Sequence, residues 1–343
     1  MKIGIKIPGF FLWLVFVLVI FSSGCASKWV ISDQPLLSQQ LWPPPPQEPR
    51  LQHIMTITGF RENGTSIKTL VFGKGQETLS RPVAVAVAPD GRIAIADPGC
   101  KCVHLYAEAH QQYQKLVSFK EQELVSPVSV VFDDASRLYV SDSVLKKVIV
   151  FDRDGAYLFS IDKVSRPTGL AYNHDQKLIY VVDTVENKVY AFNEAGETVF
   201  SFGGRGADRG QFNYPTHIFR ANTGKIYVND ALNFRIQIFD PSGNFLASFG
   251  HHGDGSGDFA MPKGVAVDRH NIIYVVDNLF DNIQLFSEQG EFLLTVGSRG
   301  SEPDEFWLPS GIFIDDSDKL YVCDTFNQRV QIFNIIQDGH EKN

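Results

Sequence analysis

The sequence predicts an all-β fold, a six-bladed β-propeller whose four-stranded blades follow one another along the chain. Three observations predict it. One pattern of residues recurs six times, with a period near 47. Every copy closes its second apolar run on an aspartate. Aromatic residues make up 12% of the 343 residues, with 27 Phe against 3 Met, a composition that favours strands over helices.

Three positions define the register of the repeat. Each copy opens on a proline, reaches an aspartate after two apolar runs, and has an aromatic residue nine positions later. These positions are Pro82, Pro127, Pro167, Pro215, Pro262 and Pro309; Asp97, Asp142, Asp183, Asp230, Asp277 and Asp324; and Tyr106, Phe151, Phe192, Phe239, Phe286 and Phe333. A length of 343 residues alone would suggest about two domains, but a chain that grows by repetition forms one.

Each copy contains four short strand-like segments. The first follows the proline, the second ends at the aspartate, the third alternates as in 329–333, and the fourth resembles 245–250. The inner segment is apolar on both faces, as expected near a packed axis, whereas the third alternates as a half-exposed strand does. Four such strands per copy, arranged radially, make a propeller blade.

The ring should be closed by an N-terminal strand. The last copy has only the polar residues 334–343 after its third strand, which makes a poor fourth strand. The segment 67–73 precedes the first copy and resembles the fourth strands that end in Phe202-Gly203 and Phe249-Gly250. We expect it to complete the sixth blade and remove the exposed edge. Residues 51–59 also have strand character, without a predicted place.

The repeat resembles the NHL repeat over roughly residues 67–334. The resemblance rests on Pro-x-Gly before the first strand, on Tyr-Val-x-Asp, and on a series of polar residues that ends in Phe. This series is Asn327, Arg329, Gln331 and Phe333 in the last copy and Asn233, Arg235, Gln237 and Phe239 in the fourth. The early copies depart from it, with Cys100 and Cys102, and then Leu145 and Lys147, where Asn and Arg are expected.

The start of the chain predicts an export signal. Lys2 and Lys6 precede an apolar stretch at 10–21, which suits a signal-peptide core and is too short to span a bilayer. The following Ser-Ser-Gly-Cys resembles a lipobox, so we expect cleavage before Cys25 and its lipidation, palmitate being one acyl chain. The alternatives are a free or disulfide-bonded cysteine and an uncleaved anchor. Several acyl chains would hold the protein stably on a membrane.

The domain boundaries follow from these segments. We assign 1–24 to the signal peptide, 25–50 to the lipidated cysteine and a Pro-rich linker, 51–336 to the propeller and 337–343 to a polar tail. The linker contains Pro35, a four-proline run at 43–46 and Pro49, a composition typical of a semi-rigid spacer. The chain as a whole is similar to bacterial lipoproteins made of these parts, and Ala at position 26 resembles the signal for the outer membrane facing the periplasm.

Charge and cysteine content exclude two classes of protein. The chain has 31 basic and 39 acidic residues, a net charge of −8, and without Lys2 and Lys6 it has 29 basic residues and a charge of −10. An acidic protein of this kind lacks the basic surface of a nucleic-acid binder. Four cysteines are too few for a disulfide scaffold. We expect Cys100 and Cys102 to be unbridged, since positions i and i+2 of a strand are poorly placed for a disulfide, and Cys323 to be buried packing.

One candidate site lies at the central channel. The second residue after each opening proline should lie near the channel mouth. These residues are Ala84, Ser129, Gly169, His217, Gly264 and Gly311. The single imidazole, with Asn229 as a neighbour, is a candidate ligand site; the alternative is a structural histidine. We assign no metal site, cofactor or catalytic residue. The repeated aspartates are expected to accept backbone N–H groups in turns.

A second candidate site is a partner-docking surface on the turns after the aspartates. Its large apolar residues are Val144, Leu145, Leu232, Phe234, Leu279, Phe280, Phe326 and, from a connection between copies, Trp307. The alternative is that these side chains pack between blades, as we expect for Phe212, Phe259 and Phe306. Exposed apolar patches of this size are typical of binding surfaces.

These features favour a monomeric, membrane-anchored, extracytoplasmic binding or scaffold protein whose top face holds a protein or envelope component. The bilayer, through acylated Cys25, is the other expected partner. The alternative is a propeller enzyme of the lyase or hydrolase type, or a small-ligand binder, with a site at His217. An enzyme is the less favoured of the two, because no catalytic set accompanies the histidine.

Overall fold

The computed structural model describes residues 28–33, 40–44, 46–64 and 74–336. The predicted leader, Cys25, the segment 67–73 and the polar tail lie outside the described residues. Helix in the described part is limited to two single turns, Glu108–His110 and Ala231–Asn233. None of its helices is therefore long and apolar enough to cross a membrane.

All remaining regular structure in the described residues is β. Four strands precede the repeats: β1 (Lys28–Asp33), β2 (Leu41–Trp42), β3 (Leu51–Asn63) and β4 (Gln76–Thr78). The first repeat forms β5 (Ala84–Val87), β6 (Arg92–Asp97), β7 (Cys102–Ala107) and β8 (Gln112–Leu116), followed by a small hairpin of β9 (Ser118–Phe119) and β10 (Gln122–Glu123). The second forms β11 (Pro127–Phe132), β12 (Leu138–Asp142), β13 (Lys147–Phe151) and β14 (Tyr157–Ile161).

The later repeats follow the same order. The third forms β15 (Pro167–Asn173), β16 (Leu178–Asp183), β17 (Lys188–Asn193) and β18 (Thr198–Gly203). The fourth forms β19 (Pro215–Arg220), β20 (Ile226–Asp230), β21 (Arg235–Phe239) and β22 (Phe245–Phe249). The fifth forms β23 (Pro262–Val267), β24 (Ile273–Asp277), β25 (Asn282–Phe286) and β26 (Phe292–Val296), and the sixth β27 (Ile312–Ile314), β28 (Lys319–Asp324) and β29 (Arg329–Ile335).

The first five repeats each fold into a four-stranded antiparallel sheet with strands in chain order. The second strand is buried along its whole length, as in β16, whereas the fourth strand is largely exposed, as in β22. The first strands contact one another in cyclic order, β5, β11, β15, β19, β23, β27 and back to β5. Buried second strands inside and exposed fourth strands outside, closed in a circle, confirm the predicted β-propeller.

The ring is closed by β3, and the prediction that 67–73 closes it is wrong. β3 pairs antiparallel with β29, Val330 opposite Ile57 and Ile335 opposite Leu51, and so takes the position of a fourth strand next to β27, β28 and β29. Ile57 and Leu51 are fully buried there. The alternating apolar residues of 51–57 fill this place, which the sequence alone left without an assignment.

Two further strands lie inside the predicted linker. β1 pairs with β3 from Lys28 opposite Asn63 to Asp33 opposite Ile57, and the two residues of β2 pair with the start of β3. Trp29 packs on the core beside the first sheet, and the indole N–H of Trp42 donates to the carbonyl oxygen of Thr295 at 2.8 Å. β1 and β2 therefore belong to the sheet and do not form a spacer, because their apolar residues pack against the core.

The spaces between sheets are filled by aromatic rings. Phe212, Phe259 and Phe306 are fully buried, which confirms the prediction that they pack between repeats. Phe259 lies 5.5 Å, ring to ring, from Phe286, the aromatic residue of its sheet's third strand. Phe212 makes the same contact with Phe239 at 5.5 Å. The repeat thus supplies its own inter-sheet core.

Candidate functional site

The repeated aspartates accept hydrogen bonds from the connections between repeats and from their own turns, at one face of the ring. Asp142 accepts backbone N–H groups from Val125 and Ser126 in the preceding connection, at 2.8 and 3.0 Å, and from Val144 and Leu145 in its own turn, at 3.1 and 3.0 Å. This confirms their predicted structural role. It also places the turns after the aspartates and the connections between repeats on the same face, here called the Asp face.

The Asp face carries a ring of exposed apolar side chains. In five repeats the residue two positions after the aspartate is apolar and between 46% and 58% exposed. We call these residues the apolar ring: Val144, Val185, Leu232, Leu279 and Phe326. Trp307 is 42% exposed, and its ring lies 5.7 Å from that of Phe326. Val185 was not among the docking residues predicted from the sequence. It lies two positions after Asp183, as the other members do after their aspartates, and that spacing could have identified it.

Three other members of the predicted docking surface, Leu145, Phe234 and Phe280, are half-buried. Leu145 packs against the cluster of the first two sheets, and Phe234 against that of the fourth and fifth. The ring of Phe234 also lies 4.4 Å from that of His252. Phe280 is half-buried as well. Leu145 and Phe280 are the third residues after their aspartates and Phe234 is the fourth; all three are half-buried, whereas the second residue after the aspartate is about half exposed.

The axis of the ring contains a cavity of about 380 Å³. The first strands line it, and it extends from the second residue after each opening proline to the turns between first and second strands, such as those at Gly91, His174 and Asn222. These turns lie at the face opposite the Asp face, because Pro127 at the start of a first strand pairs with Asp142. His217 lies toward the Asp-face end of this cavity, because Pro215 pairs with Asp230, so the cavity site is on the axis whereas the apolar ring lies on the turns of the Asp face.

His217 lines this cavity, and the structure brings Asn229 close to it through a third residue. The Nδ1 atom of His217 lies 3.0 Å from the hydroxyl oxygen of Thr216, which accepts a 2.9 Å hydrogen bond from the Asn229 amide. The Asn229 amide also donates to the carbonyl oxygen of Pro262 at 2.7 Å. Burial, followed by the positive charge of Lys263, lowers the pKa of His217 to about 3. The imidazole is therefore neutral at neutral pH and can act as a hydrogen-bonding group or ligand.

Small residues bring the inner strands together around the axis, next to His217 and elsewhere. A Cβ atom on Gly169 would lie 2.8 Å from the Cα atom of His217, and one on Gly311 would lie 2.4 Å from the Val83 carbonyl oxygen. The first strand of the fourth repeat is also bulged between Pro215 and Ile218. A bulge re-aims a side chain, so the local backbone sets the direction of the imidazole.

The first repeat holds a cluster that sequence reasoning missed. Cys100 and Cys102 form a disulfide, contrary to expectation, and the ring of His104 lies against both sulfur atoms. The expectation failed because Cys100 precedes β7 and Lys101 has φ of 53°, a turn that brings the two Cα atoms to 5.3 Å. Cys323 is a buried free thiol, as predicted.

Comparison with known proteins supports the fold. A family model described as a 6-bladed beta-propeller, DUF5128, matches residues 208–283 and 270–339. No curated protein matches the sequence significantly.

The solved structures that resemble this chain differ in what they do. A protein of unknown function from Bacteroides thetaiotaomicron is 14% identical, with a TM-score of 0.57 over 90% of each chain. An auxiliary nutrient binding protein from Bacteroides ovatus is 14% identical, with a TM-score of 0.58 over 76% of this chain and 70% of its own. Virginiamycin B lyase from Staphylococcus aureus, solved with quinupristin, is 11% identical, with a TM-score of 0.56 over 75% and 96%. Such distant similarity shows the propeller fold alone.

Proposed function

We propose that this chain is a lipid-anchored protein of the bacterial envelope, in the outer membrane facing the periplasm, that binds a protein partner through the apolar ring. The observation that carries the proposal is the ring itself. Five apolar side chains at one position of the repeat are about half exposed on one face. Exposed apolar surface of this extent is typical of an interface, and aromatic residues such as Phe326 and Trp307 are typical anchors.

In this proposal the propeller has six blades of the NHL type. The sheet formed by β27, β28 and β29 with β3 serves as the sixth blade. The description of the matching family as 6-bladed supports this count. Of the remaining strands of that sheet, β1 and β2 are then additions to its outer edge, whereas β4 pairs with the end of β3 on the side that faces β29.

The position of Trp29 supports an orientation of the propeller relative to the membrane. The backbone N–H of Trp29 donates to the carbonyl oxygen of Gln111 at 2.7 Å. Gln111 follows β7, on the side of the first sheet away from the Asp97 turn. Two residues separate Cys25 from Lys28, and the three residue-to-residue steps between them reach about 10 Å at most. A lipid on Cys25 would hold this side near the bilayer, so the apolar ring would face away from the membrane, toward a protein.

The test is cross-linking in native membranes followed by mass spectrometry. The double variant Leu279→Asp with Phe326→Asp should lose the recovered partner while keeping the unfolding temperature of the parent. The matched control is Val199→Asp with Leu246→Asp, since these residues are 54% and 49% exposed but lie on fourth strands. Recovery of the same partner by both variants would contradict the proposal. The same spectra should show acyl chains on Cys25.

A small ligand in the axial cavity is the second candidate function. The observation that favours it is the cavity volume of about 380 Å³, which lies within the range of small-molecule sites. The neutral imidazole of His217 lines this cavity. The neighbours named above include a lyase and a nutrient-binding protein, so the fold permits either outcome. A panel of small ligands should then raise the unfolding temperature of the parent but not of His217→Ala. Equal shifts in both proteins would argue against this site.

A further inference from the structure

In the repeat, three side chains converge on the aspartate that ends the second strand. In the last repeat these are the third, fifth and seventh residues after Asp324. Asn327, Arg329 and Gln331 donate to its Oδ2 atom at 2.9, 2.7 and 3.2 Å. The fourth repeat has the same set around Asp230, with Asn233, Arg235 and Gln237 at 2.8, 2.8 and 3.1 Å. The backbone of the repeat therefore directs three side chains to one point.

In the first repeat the same three positions carry Cys100, Cys102 and His104, around Asp97. The two sulfur atoms and the ring nitrogen all lie within 4.8 Å of one another. Three hydrogen-bond donors are thus replaced together by three side chains that bind metals. A structural disulfide would need only the two cysteines, and it gives no reason for the histidine at the third position.

The distances fit one tetrahedral ion. From His104 Nε2, the Sγ atoms of Cys100 and Cys102 lie at 3.7 and 3.4 Å, and the Oδ2 atom of Asp97 lies at 3.6 Å. A tetrahedral zinc ion with sulfur ligands near 2.3 Å and nitrogen or oxygen ligands near 2.0 Å holds its ligands about 3.3–3.8 Å apart. These three distances fall in this range, whereas the two sulfur atoms, being bonded, are too close together for a bound ion.

The histidine and the aspartate are held in place for this role. His104 Nδ1 lies 2.8 Å from the phenolic oxygen of Tyr113, which can accept a hydrogen bond from Nδ1–H and leave Nε2 free to bind a metal. Phe60 stacks on Tyr113 at 4.7 Å and fixes it. Asp97 Oδ2 accepts the Ser80 N–H at 2.6 Å, which leaves a lone pair on the side of His104.

The side chains of the site are buried except at Cys100. Asp97, Cys102 and His104 are fully buried, whereas Cys100 lies in a turn and is partly exposed. A reductant can therefore reach the disulfide at Cys100, and an ion can enter at the same point. Two thiolates, an imidazole and a carboxylate form a donor set that suits Zn²⁺ among the common divalent ions.

We propose that Cys100, Cys102, His104 and Asp97 form a redox-gated zinc site. A dithiol reductant breaks the Cys100–Cys102 bond. Its two thiol protons and two electrons pass to the protein sulfurs, and the reductant becomes a disulfide. One Zn²⁺ then replaces both thiol protons, which are released to water. Oxidation by a disulfide reverses the sequence and expels the ion. The site is separate from the apolar ring and from the axial cavity.

The test uses full-length protein in detergent, with Co²⁺ as the spectroscopic probe. Protein reduced with dithiothreitol and freed of metal should bind one Co²⁺ per chain, with the intense visible bands of a tetrahedral site and a thiolate-to-cobalt charge-transfer band. Added Zn²⁺ should abolish both. The oxidised protein should show neither. Absence of stoichiometric Co²⁺ binding after reduction, or equal binding by the oxidised protein, would overturn the proposal.

Variants assign the ligands. His104→Gln introduces the residue that the fourth and sixth repeats carry at this position, so the fold is expected to tolerate it. Its Zn²⁺ affinity should fall by more than about 100-fold, since loss of an outer-shell partner alone costs about 10–100-fold. Cys102→Ser should lower the Co²⁺ affinity and weaken the charge-transfer band, since one of the two thiolate ligands is lost. Cys323→Ala, which removes a buried thiol outside the cluster, should bind as the parent does. Parental affinity in His104→Gln would refute the site, and if that variant does not fold, Cys102→Ser and the redox comparison decide.

Discussion

Ile57 is the residue at which one substitution should most directly loosen the ring. It is fully buried, and it pairs with Val330 where the N-terminal β3 meets the C-terminal β29. Ile57→Ala removes three carbon groups, worth about 0.8 kcal/mol each in transfer from water. The cavity left behind adds to this, so we expect a loss of about 3 kcal/mol in the free energy of unfolding.

The assay is urea unfolding followed by tryptophan fluorescence. Trp29 and Trp42 lie on β1 and β2, the two strands that pair with β3, so they report on the closing sheet. At an m-value of about 3 kcal/mol per M, the midpoint should fall by about 1 M. Leu246→Ala, at a half-exposed position of a fourth strand, is the control and should shift it little. A loss below about 1 kcal/mol for Ile57→Ala would refute closure by β3.

Three further predictions concern buried groups. Arg329→Met should cost about 3–5 kcal/mol in urea unfolding, because it leaves the buried carboxylate of Asp324, 2.7 Å from Arg329 Nε, without its charged partner. Burial, followed by the charge of Arg329, lowers the pKa of His53 from 6.5 to about 4, so the unfolded chain binds a proton that the folded chain does not. Stability should therefore fall as the pH falls from 6.5 to 4, by up to about 3 kcal/mol, and His53→Gln should flatten this part of a profile of unfolding temperature against pH. Gly311→Ala should lower the unfolding temperature, at a cost of about 1–3 kcal/mol, because its Cβ atom would lie 2.4 Å from the Val83 carbonyl oxygen.

Each of these has a contrary result. Full stability of Arg329→Met would mean that water or neighbouring dipoles satisfy Asp324. An unchanged pH profile in His53→Gln would assign the acid sensitivity to other groups, His217 among them, whose pKa is also lowered, to about 3. A parental unfolding temperature for Gly311→Ala would show that the contact between the last and first inner strands relaxes easily.

The sequence by itself determined the repeat, its strands and its turns. These depend on residues close together in the chain: an alternating run makes a strand, and an aspartate such as Asp142 binds N–H groups within its own turn and from a connection about 17 residues away. The same period predicted the burial of Phe259 and Phe306, because equivalent positions of a repeat have equivalent surroundings. Six copies in register carry that information without any knowledge of distant contacts.

Only the tertiary structure decided which segment closes the ring and what the first repeat holds. Pairing of β3 with β29 joins the two ends of the chain, and 51–57 and 67–73 have similar strand patterns, so no local signal chose between them. The cysteines looked like two isolated departures from the repeat. The turn at Lys101 brings them together, and the convergence of the third, fifth and seventh positions on Asp97 adds His104. Side chains that are ordinary one by one become a site only when the fold directs them to a common point.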